Sequence, residues 1–247
     1  MPRFFITESN ISDGRITLVG DDARHVSRSL RMRPGETLTV CNGAGVDYHC
    51  RTEAFTSDTV TLAIEKKEPS RGEPPLDITV FQALVKGDKF DTVIQKSVEC
   101  GAARIIPFYS RNCIVKPTQD ESKKTERRAR IALEAAMQSG RGRIPTVGEC
   151  IDFAAMIKSA ASQGAALFCY EGEGTVQAPA VLKELSRRIS HGGRLSVIIG
   201  PEGGFAPEEA RSAAEAGLIL TGLGPRILRT ESASEFILAC IYFAFEE

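Results

Sequence analysis

Apolar residues follow two different spacings along the chain, and these divide it into two parts. From residue 1 to about residue 72, short apolar runs alternate with glycine, aspartate and asparagine, as expected for strands joined by tight turns. The runs are residues 15–19, 37–40 and 59–64. This pattern predicts a small β-barrel.

One helix is predicted within this first part. It begins at Asp21 or Asp22, either of which can serve as N-cap, and it ends at about Met32, before the stop signal Pro34-Gly35. The helix and the residues that follow it carry four arginines, which are Arg24, Arg28, Arg31 and Arg33.

Residues 68–75 form the boundary between the two parts. They combine charged residues with Pro69, Pro74 and Pro75, a composition that favours neither a helix nor a strand. We therefore predict two domains, residues 1–72 and residues 73–247.

Beyond the boundary, strand-like runs alternate with helical patterns. The strand-like runs are residues 77–84, 104–109, 165–170, 195–199 and 218–223, and a helical pattern covers residues 88–101. Such alternation predicts an α/β fold, with a mostly parallel sheet that has helices on both faces. The last helical pattern, residues 231–245, is apolar on nearly every side, which predicts burial in the core or in a subunit interface.

The composition is that of a globular protein, with 247 residues of which 42% are hydrophobic and 26% charged. No apolar run is long enough to span a membrane and the N-terminus lacks a signal-peptide pattern, so we expect a cytoplasmic protein without a membrane partner. The seven cysteines include no CxxC pair, and none of the three histidines has the spacing of a metal-binding pair. We expect reduced core thiols and no metal site.

The formal net charge of −1 speaks against a nucleic-acid partner, because contacts from Lys and Arg to phosphate supply most non-specific affinity. The basic residues are nevertheless clustered. One cluster is the four arginines above, and the second is Lys123, Lys124, Arg127, Arg128, Arg130, Arg141 and Arg143. Two interpretations stay open: each cluster binds phosphates, or each is an ordinary solvated helix face.

Three loops that follow predicted strands are candidates for ligand binding, since ligands of open α/β sheets bind at the carboxyl ends of the strands. The loops are residues 171–174, 200–205 and 224–230. In the second loop, Gly200-Pro201-Glu202-Gly203-Gly204, the glycines allow a ligand to approach the backbone. The loop lacks the Lys and Ser or Thr of a phosphate loop, and Glu202 would repel phosphate, so a neutral or cationic ligand is predicted. A tight strand-to-helix turn without a ligand is the alternative.

The third loop leads into the last helix. Thr230 can serve as its N-cap, but Ala233 stands where a capping box would have Glu or Gln. Taken alone, this stretch predicts no more than the beginning of a helix.

Several separated motifs resemble those of a known family. Residues 196–205 and 223–233 are similar to the C-terminal motifs of SPOUT methyltransferases, and most of all to those of the RsmE family of ribosomal RNA uridine methyltransferases. Other stretches resemble that family's N-terminal PUA-like RNA-binding domain and its central motifs. They are residues 23–26 and 30–35 for the PUA-like domain, and residues 95–102 and 134–141 for the central motifs. The resemblance covers nearly the whole chain.

This resemblance implies a SPOUT-type sheet with a trefoil knot, preceded by a PUA-like β-barrel, in a homodimer that binds S-adenosyl-L-methionine among three loops. Carried onto this chain, the residues around the cofactor are Tyr170, Glu171, Ile199, Gly200, Pro201, Gly203, Leu223, Gly224, Ile227, Leu228 and Arg229.

The resemblance also implies methylation of ring nitrogen 3 of a uridine in small-subunit (16S) ribosomal RNA, within the assembled subunit. Because that nitrogen holds its proton at neutral pH, a base or hydrogen-bond donors to the two uracil carbonyls must assist. The candidate donors are Arg229, Gln138 and Arg141, and the candidate bases are Glu202 and Glu171. The four arginines Arg24, Arg28, Arg31 and Arg33 would hold phosphates without reading the RNA sequence.

Two positions depart from the family pattern. The stretch Ser110-Arg111-Asn112-Cys113 stands where the family often has Glu-Arg-Ser, and Met137 stands where it often has Glu. These departures put the side chains that face the RNA in doubt, and Met137 is given no catalytic role.

Three other functions are weighed. A SPOUT enzyme that methylates a ribose 2'-hydroxyl or another base is disfavoured by the resemblance of the N-terminal part. A non-catalytic RNA-binding assembly factor is disfavoured by the intact loop from Gly200 to Gly204. A nucleotide-dependent enzyme lacks a phosphate loop.

Overall fold

The computed structural model describes residues 3–116 and 121–246, with only the backbone of residues 121 and 122. These residues form two units. The first comprises Met1–Glu73 together with Ala136–Ile144, and the second comprises Pro74–Ala135 together with Pro145–Glu247. Residues 136–144, the returning segment, thus belong to the first unit, so a single boundary near residue 72 does not separate the two units.

In the first unit, six strands of the described chain form a curled mixed sheet, a half-barrel, in the order β1-β4-β5-β6-β3-β2. They are β1 (Phe4–Phe5), β2 (Ile11–Ser12), β3 (Arg15–Val19), β4 (Thr37–Cys41), β5 (Val46–Phe55) and β6 (Thr59–Pro69). All neighbouring strands are antiparallel except β1 and β4. Alternate residues such as Ile16, Leu18 and Val40 point into one core, as the period of two in the sequence predicted.

Two local predictions for this unit were wrong. Helix α1 (Gly20–Arg24) has Val19, not an aspartate, as N-cap, and after a π-helical turn (His25–Ser29) it ends before Arg31, whose φ of +52° cannot continue a helix. Strand β6 extends to Pro69 although proline was expected to end regular structure earlier. It does so because β5 provides a partner as far as the pair Val46 and Pro69.

The carboxylate of Glu73 holds the returning segment within the first unit. Its Oε1 accepts hydrogen bonds from Arg141 Nε at 3.0 Å, from the Gly142 N–H at 2.8 Å and from the Arg143 N–H at 3.0 Å. Its Oε2 accepts a further bond from Arg141 Nη2 at 2.9 Å. The Arg141 side chain is only 3% exposed, so this is a buried, bidentate ion pair. Met137, in the same segment, packs against the half-barrel core.

In the second unit, eight described strands form a fully parallel sheet in the order β10-β8-β7-β13-β11-β14-β12, with β9 beside β8. They are β7 (Asp77–Ala83), β8 (Arg104–Tyr109), β9 (Thr146–Val147), β10 (Ile151–Asp152), β11 (Ala165–Cys169), β12 (Val176–Gln177), β13 (Arg194–Ile199) and β14 (Ile219–Gly222). The central strands are buried along nearly their whole length, as expected for a sheet covered by helices. The predicted α/β fold is confirmed.

Helices alternate with these strands along the chain. They are α2 (Lys89–Glu99), α3 (Glu121–Ser139), α4 (Phe153–Ser162), α5 (Ala178–Arg188), α6 (Pro207–Glu215) and α7 (Thr230–Phe245). Helix α7 packs against α2, α5 and β13, and it buries Ile237, Leu238 and Ile241. On its other side, Tyr242 is 46% and Phe243 63% exposed, so the helix is not buried on every side within one chain.

No helix among the described residues is long and apolar enough to cross a membrane. The seven cysteines are all free. Cys41 and Cys50 are buried, as expected of core thiols, and Cys113 packs against the core of the second unit, whereas Cys100, Cys150, Cys169 and Cys240 are partly exposed. Within residues 3–116 and 121–246, no group of His, Cys, Asp or Glu side chains is arranged to hold a metal ion.

Candidate functional site

A cavity of about 510 Å³ opens in the second unit where β11, β13 and β14 end. These strands are neighbours in the sheet, so the loops that follow them meet at one edge. The lining includes the following residues predicted from sequence: Tyr170, Glu171, Ile199, Gly200, Pro201, Glu202, Leu223, Gly224, Ile227, Leu228 and Arg229. Gly203 belongs to the same loop but does not line the cavity. The three candidate loops thus surround one site.

The cavity also includes residues that were not predicted. Outside the three predicted loops these are Lys89, Cys169, Thr175, Gln177, Gly222, Glu231 and Ala233, whereas the further lining residues Gly204, Phe205, Pro225, Arg226 and Thr230 lie within those loops. Lys89 could have been found, because it follows the predicted strand at residues 77–84 and the rule on strand ends applies equally there. The others depend on which strands are neighbours, which the sequence pattern does not show.

The base of the site is an aromatic cluster. The ring of Phe205 lies 4.1 Å from that of Phe168 and stacks on Phe108 at 6.2 Å with an interplanar angle of 9°. A Cβ atom on Gly200 would stand 3.0 Å from the Phe205 ring, which these neighbours hold in place. Gly204 has a φ of +64°, which permits the turn closed by its N–H on the Pro201 carbonyl. Both positions therefore favour glycine, Gly200 by its close approach to Phe205 and Gly204 by its positive φ.

Glu202 is held at one end of the site. Its Oε1 accepts a hydrogen bond from the Lys86 N–H at 3.1 Å and lies 3.5 Å from Lys89 Nζ, and Lys89 also approaches Glu231 at 3.9 Å. Partial burial is the largest single influence and would raise the pKa of Glu202. Hydrogen bonds from its own backbone N–H and from Lys86, together with the charge of Lys89, outweigh it and lower that pKa below the usual value. The carboxylate is thus ionised at neutral pH and is a weaker base than an ordinary glutamate.

Arg229 stands where the third loop meets helix α7. Its backbone is the N-cap of the helix and its side chain is exposed. In the described part of the chain, its guanidinium makes no ion pair. It therefore offers five unused N–H donors at the mouth of the cavity.

Two family models match this chain. An RNA methyltransferase domain matches residues 72–242, which is more than half of the chain, and an RNA methyltransferase PUA domain matches residues 18–65. The chain belongs to the RNA methyltransferase family. The family matches confirm the predicted RNA methyltransferase with an N-terminal PUA-like domain.

Relatives of this methyltransferase span its whole length. A protein of Bacillus subtilis (strain 168) named ribosomal RNA small subunit methyltransferase E is 30% identical over 100% of this chain and 98% of its own. The crystal structure of such a protein from Neisseria gonorrhoeae, bound to S-adenosyl methionine, is 31% identical with a TM-score of 0.82, covering 99% of this chain and 98% of its own. A methyltransferase from Legionella pneumophila with bound cofactor has a TM-score of 0.81 at 29% identity, covering 98% and 97%.

Two predicted substrate residues of this methyltransferase lie in the first unit, not at the cavity. Gln138 is exposed near the end of α3, and the Arg141 guanidinium binds Glu73. Neither lines the cavity described above. That Gln138 and Arg141 donate to the uracil base stays a prediction. The contact that the structure shows for the Arg141 guanidinium is the ion pair with Glu73.

The four arginines predicted to bind RNA all lie in the first unit and are all exposed. Arg24 pairs with Asp21 on its own helix. The side chains of Arg28, Arg31 and Arg33 make no ion pair with any described residue, so they are available to phosphates.

Asn112 connects a fourth loop to the methyltransferase site. Its Nδ2 donates to the carbonyl oxygens of Gly203 and Gly204, both at 3.2 Å, and its Cβ would be 3.2 Å from a Cβ on Gly203. Arg111 beside it binds Glu208 at 2.8 Å through an exposed ion pair. The stretch that departs from the family pattern therefore supports the glycine-rich loop.

We expect Asn112→Ala to weaken S-adenosyl-L-methionine binding roughly two- to tenfold, because two hydrogen bonds of modest net worth are lost. Isothermal titration calorimetry measures this. Arg111→Ala is the matched control, since an exposed ion pair contributes little and its loss should leave the affinity unchanged. Equal affinities for Asn112→Ala and the unchanged protein would show that the loop needs no such support.

Proposed function

We propose that this chain transfers a methyl group from S-adenosyl-L-methionine to ring nitrogen 3 of a uridine in small-subunit ribosomal RNA. The observation that carries the proposal is the cavity at the ends of β11, β13 and β14, in a chain whose full-length relative binds that cofactor. The curated relatives, named for small-subunit ribosomal RNA, support the substrate. The position on the base rests on the resemblance to the RsmE family.

The residues of the cavity fit this cofactor. Its volume lies within the usual range for small-molecule sites, about 300–1,000 Å³. Leu223, Ile227 and Leu228 offer apolar surface for an adenine ring, and open space stands where Gly224 would carry a side chain. The carboxylates of Glu171 and Glu202 suit a ligand with positive charge, whereas they would repel a nucleoside triphosphate.

S-adenosyl-L-methionine supplies a methyl group on a positively charged sulfur. The task of the chain is to align the acceptor nitrogen with that methyl group and to stabilise the uracil ring as its proton leaves. We assign Arg229 to a uracil carbonyl, because its guanidinium is exposed and unpaired at the cavity mouth. Glu202 serves as a fixed charge, since its lowered pKa disfavours it as the base. Glu171, exposed on the opposite loop, is the remaining candidate base.

We further propose that Arg24, Arg28, Arg31 and Arg33 hold ribosomal RNA by its phosphates. The acceptor uridine must leave its stack to reach the cavity. The exposed Phe236, Tyr242 and Phe243 of α7 support a homodimer, because a single chain leaves this apolar face in water. With ribosomal RNA in the assembled small subunit as substrate, the protein acts in the cytoplasm.

Nucleoside mass spectrometry tests the proposal. Small subunits that lack the modification are incubated with the protein and labelled S-adenosyl-L-methionine, then digested to nucleosides. We expect label in 3-methyluridine. Label in a ribose-methylated nucleoside would keep the enzyme class and overturn the base assignment. Cofactor binding without label in subunits or in free 16S RNA would favour a role in RNA binding alone.

A further inference from the structure

Two buried polar side chains meet at the cavity: Thr230 lines it, and Gln82 contacts Thr230 without lining it. Gln82, at the end of β7, is fully buried (0% exposed), and Thr230, the first residue of α7, is 6% exposed. Gln82 Nε2 lies 2.8 Å from Thr230 Oγ1, which in turn lies 2.6 Å from the carbonyl oxygen of Gly200. The three groups form a continuous hydrogen-bonded chain.

The direction of these bonds follows from the number of protons. A carbonyl oxygen only accepts, so the single hydroxyl proton of Thr230 must point to Gly200. Thr230 Oγ1 then has only lone pairs left for Gln82, and the group of Gln82 that faces it must be the amide N–H. The second N–H of that amide is used by the Ala83 carbonyl at 3.2 Å. The orientation of the Gln82 amide is therefore determined, and its Oε1 faces away.

Gln82 Oε1 is buried and has no hydrogen-bond partner among the described residues. A buried acceptor without a partner lowers the stability of a fold, and an apolar side chain of the same shape would avoid this cost. A side chain that is kept at a cost to stability is a candidate for a functional role.

The chain of bonds joins three elements that surround the cavity. Gln82 belongs to the strand that leads to Lys86 and Lys89, Gly200 opens the glycine-rich loop, and Thr230 follows the loop of Leu223–Arg229. Gly200 and Thr230 line the cavity themselves. Their bond ties the second and third loops together at the point where both face the ligand.

We propose that Gln82 and Thr230 are positioning residues for the cofactor: Thr230, oriented by Gln82, holds the Gly200 carbonyl and so keeps two cofactor loops in the binding geometry. This inference rests on the proposed function, because it concerns the affinity for S-adenosyl-L-methionine. Beyond direct contacts between cavity residues and the cofactor, it assigns Gln82 and Thr230 a role that acts through the Gly200 carbonyl.

The test compares variants of the intact protein by the dissociation constant for S-adenosyl-L-methionine and by urea unfolding. Thr230→Val keeps the shape, removes the hydroxyl and leaves the Gly200 carbonyl without its donor, so we expect about tenfold weaker binding. Thr230→Ser keeps the hydroxyl and should restore the affinity. Gln82→Met should also weaken binding, because Thr230 loses the N–H that orients it, while removal of the orphaned oxygen offsets part of the stability lost with the bonds to Thr230 and Ala83.

Thr79→Val serves as the control for buried hydroxyls. Thr79 lies near the other end of β7 and bonds to Arg104 and Gln163, so its loss should lower stability without changing the affinity. If Thr230→Val and Gln82→Met bind the cofactor as well as the unchanged protein does, the inference is overturned. If the unchanged protein itself does not bind S-adenosyl-L-methionine, the proposed function fails instead.

Discussion

Replacing Arg229 by alanine is expected to lower kcat for ribosomal RNA methylation by about 10²–10³, the usual effect of removing one donor that stabilises developing charge. The guanidinium is exposed at the cavity mouth and makes no ion pair with any described residue, so it is free to bind a uracil carbonyl. Its loss should leave the affinity for S-adenosyl-L-methionine unchanged. Single-turnover kinetics at saturating cofactor and subunit measure the effect.

Arg226→Ala is the matched control, since Arg226 is also exposed and lines the same cavity. We expect a much smaller change in kcat than for Arg229→Ala. Arg229→Lys should restore only part of the rate, because an ammonium group lacks the planar fork of a guanidinium. A higher dissociation constant for the cofactor at unchanged kcat would instead make Arg229 a cofactor residue.

The second large effect concerns stability. Glu73→Gln should lower the free energy of unfolding by about 2–4 kcal/mol, somewhat below the cost of breaking a fully buried pair, because Glu73 is 18% exposed. The substitution leaves the nearly buried Arg141 guanidinium without its carboxylate and weakens the bonds to the Gly142 and Arg143 N–H groups. Urea unfolding followed by circular dichroism measures the difference.

Glu53→Gln provides the comparison within the same unit, because Glu53 pairs with Arg15 on the surface and such pairs are worth about 0–1 kcal/mol. Arg141→Lys separates the two roles considered for Arg141. If Arg141 is structural, this variant loses stability and keeps its kcat. If it retains the stability and loses kcat, Arg141 donates to the substrate as the sequence resemblance implied.

The candidate site shows how far sequence reasoning reaches. The strand at residues 104–109 was predicted with its observed bounds, and the loops after the strands ending at Cys169, Ile199 and Gly222 were predicted to bind a ligand. These features depend on local periodicity and on the rule that ligands bind at strand ends. Lys89 begins α2 shortly after β7, so the same rule on strand ends also points to it.

Thr230 illustrates what local reasoning could not find. Its position before a helix predicted an N-cap, yet Arg229 occupies that place and the Thr230 hydroxyl donates to Gly200. The partner that orients it, Gln82, lies 148 residues away in sequence. Arg141 is similar, since its motif suggested a substrate contact whereas the folded chain pairs it with Glu73.

The sequence by itself determined the succession of a β-rich part and an α/β part, the parallel character of the second sheet, and the loops that form the site. It could do so because each of these follows from the spacing of apolar residues and from glycines within a short stretch of chain. Only the tertiary structure decided which strands are neighbours, which side chains meet across the cavity, and which arginines are free. Those contacts join residues that are distant in sequence, and their hydrogen bonds and charges exist only once the sheet order brings them together.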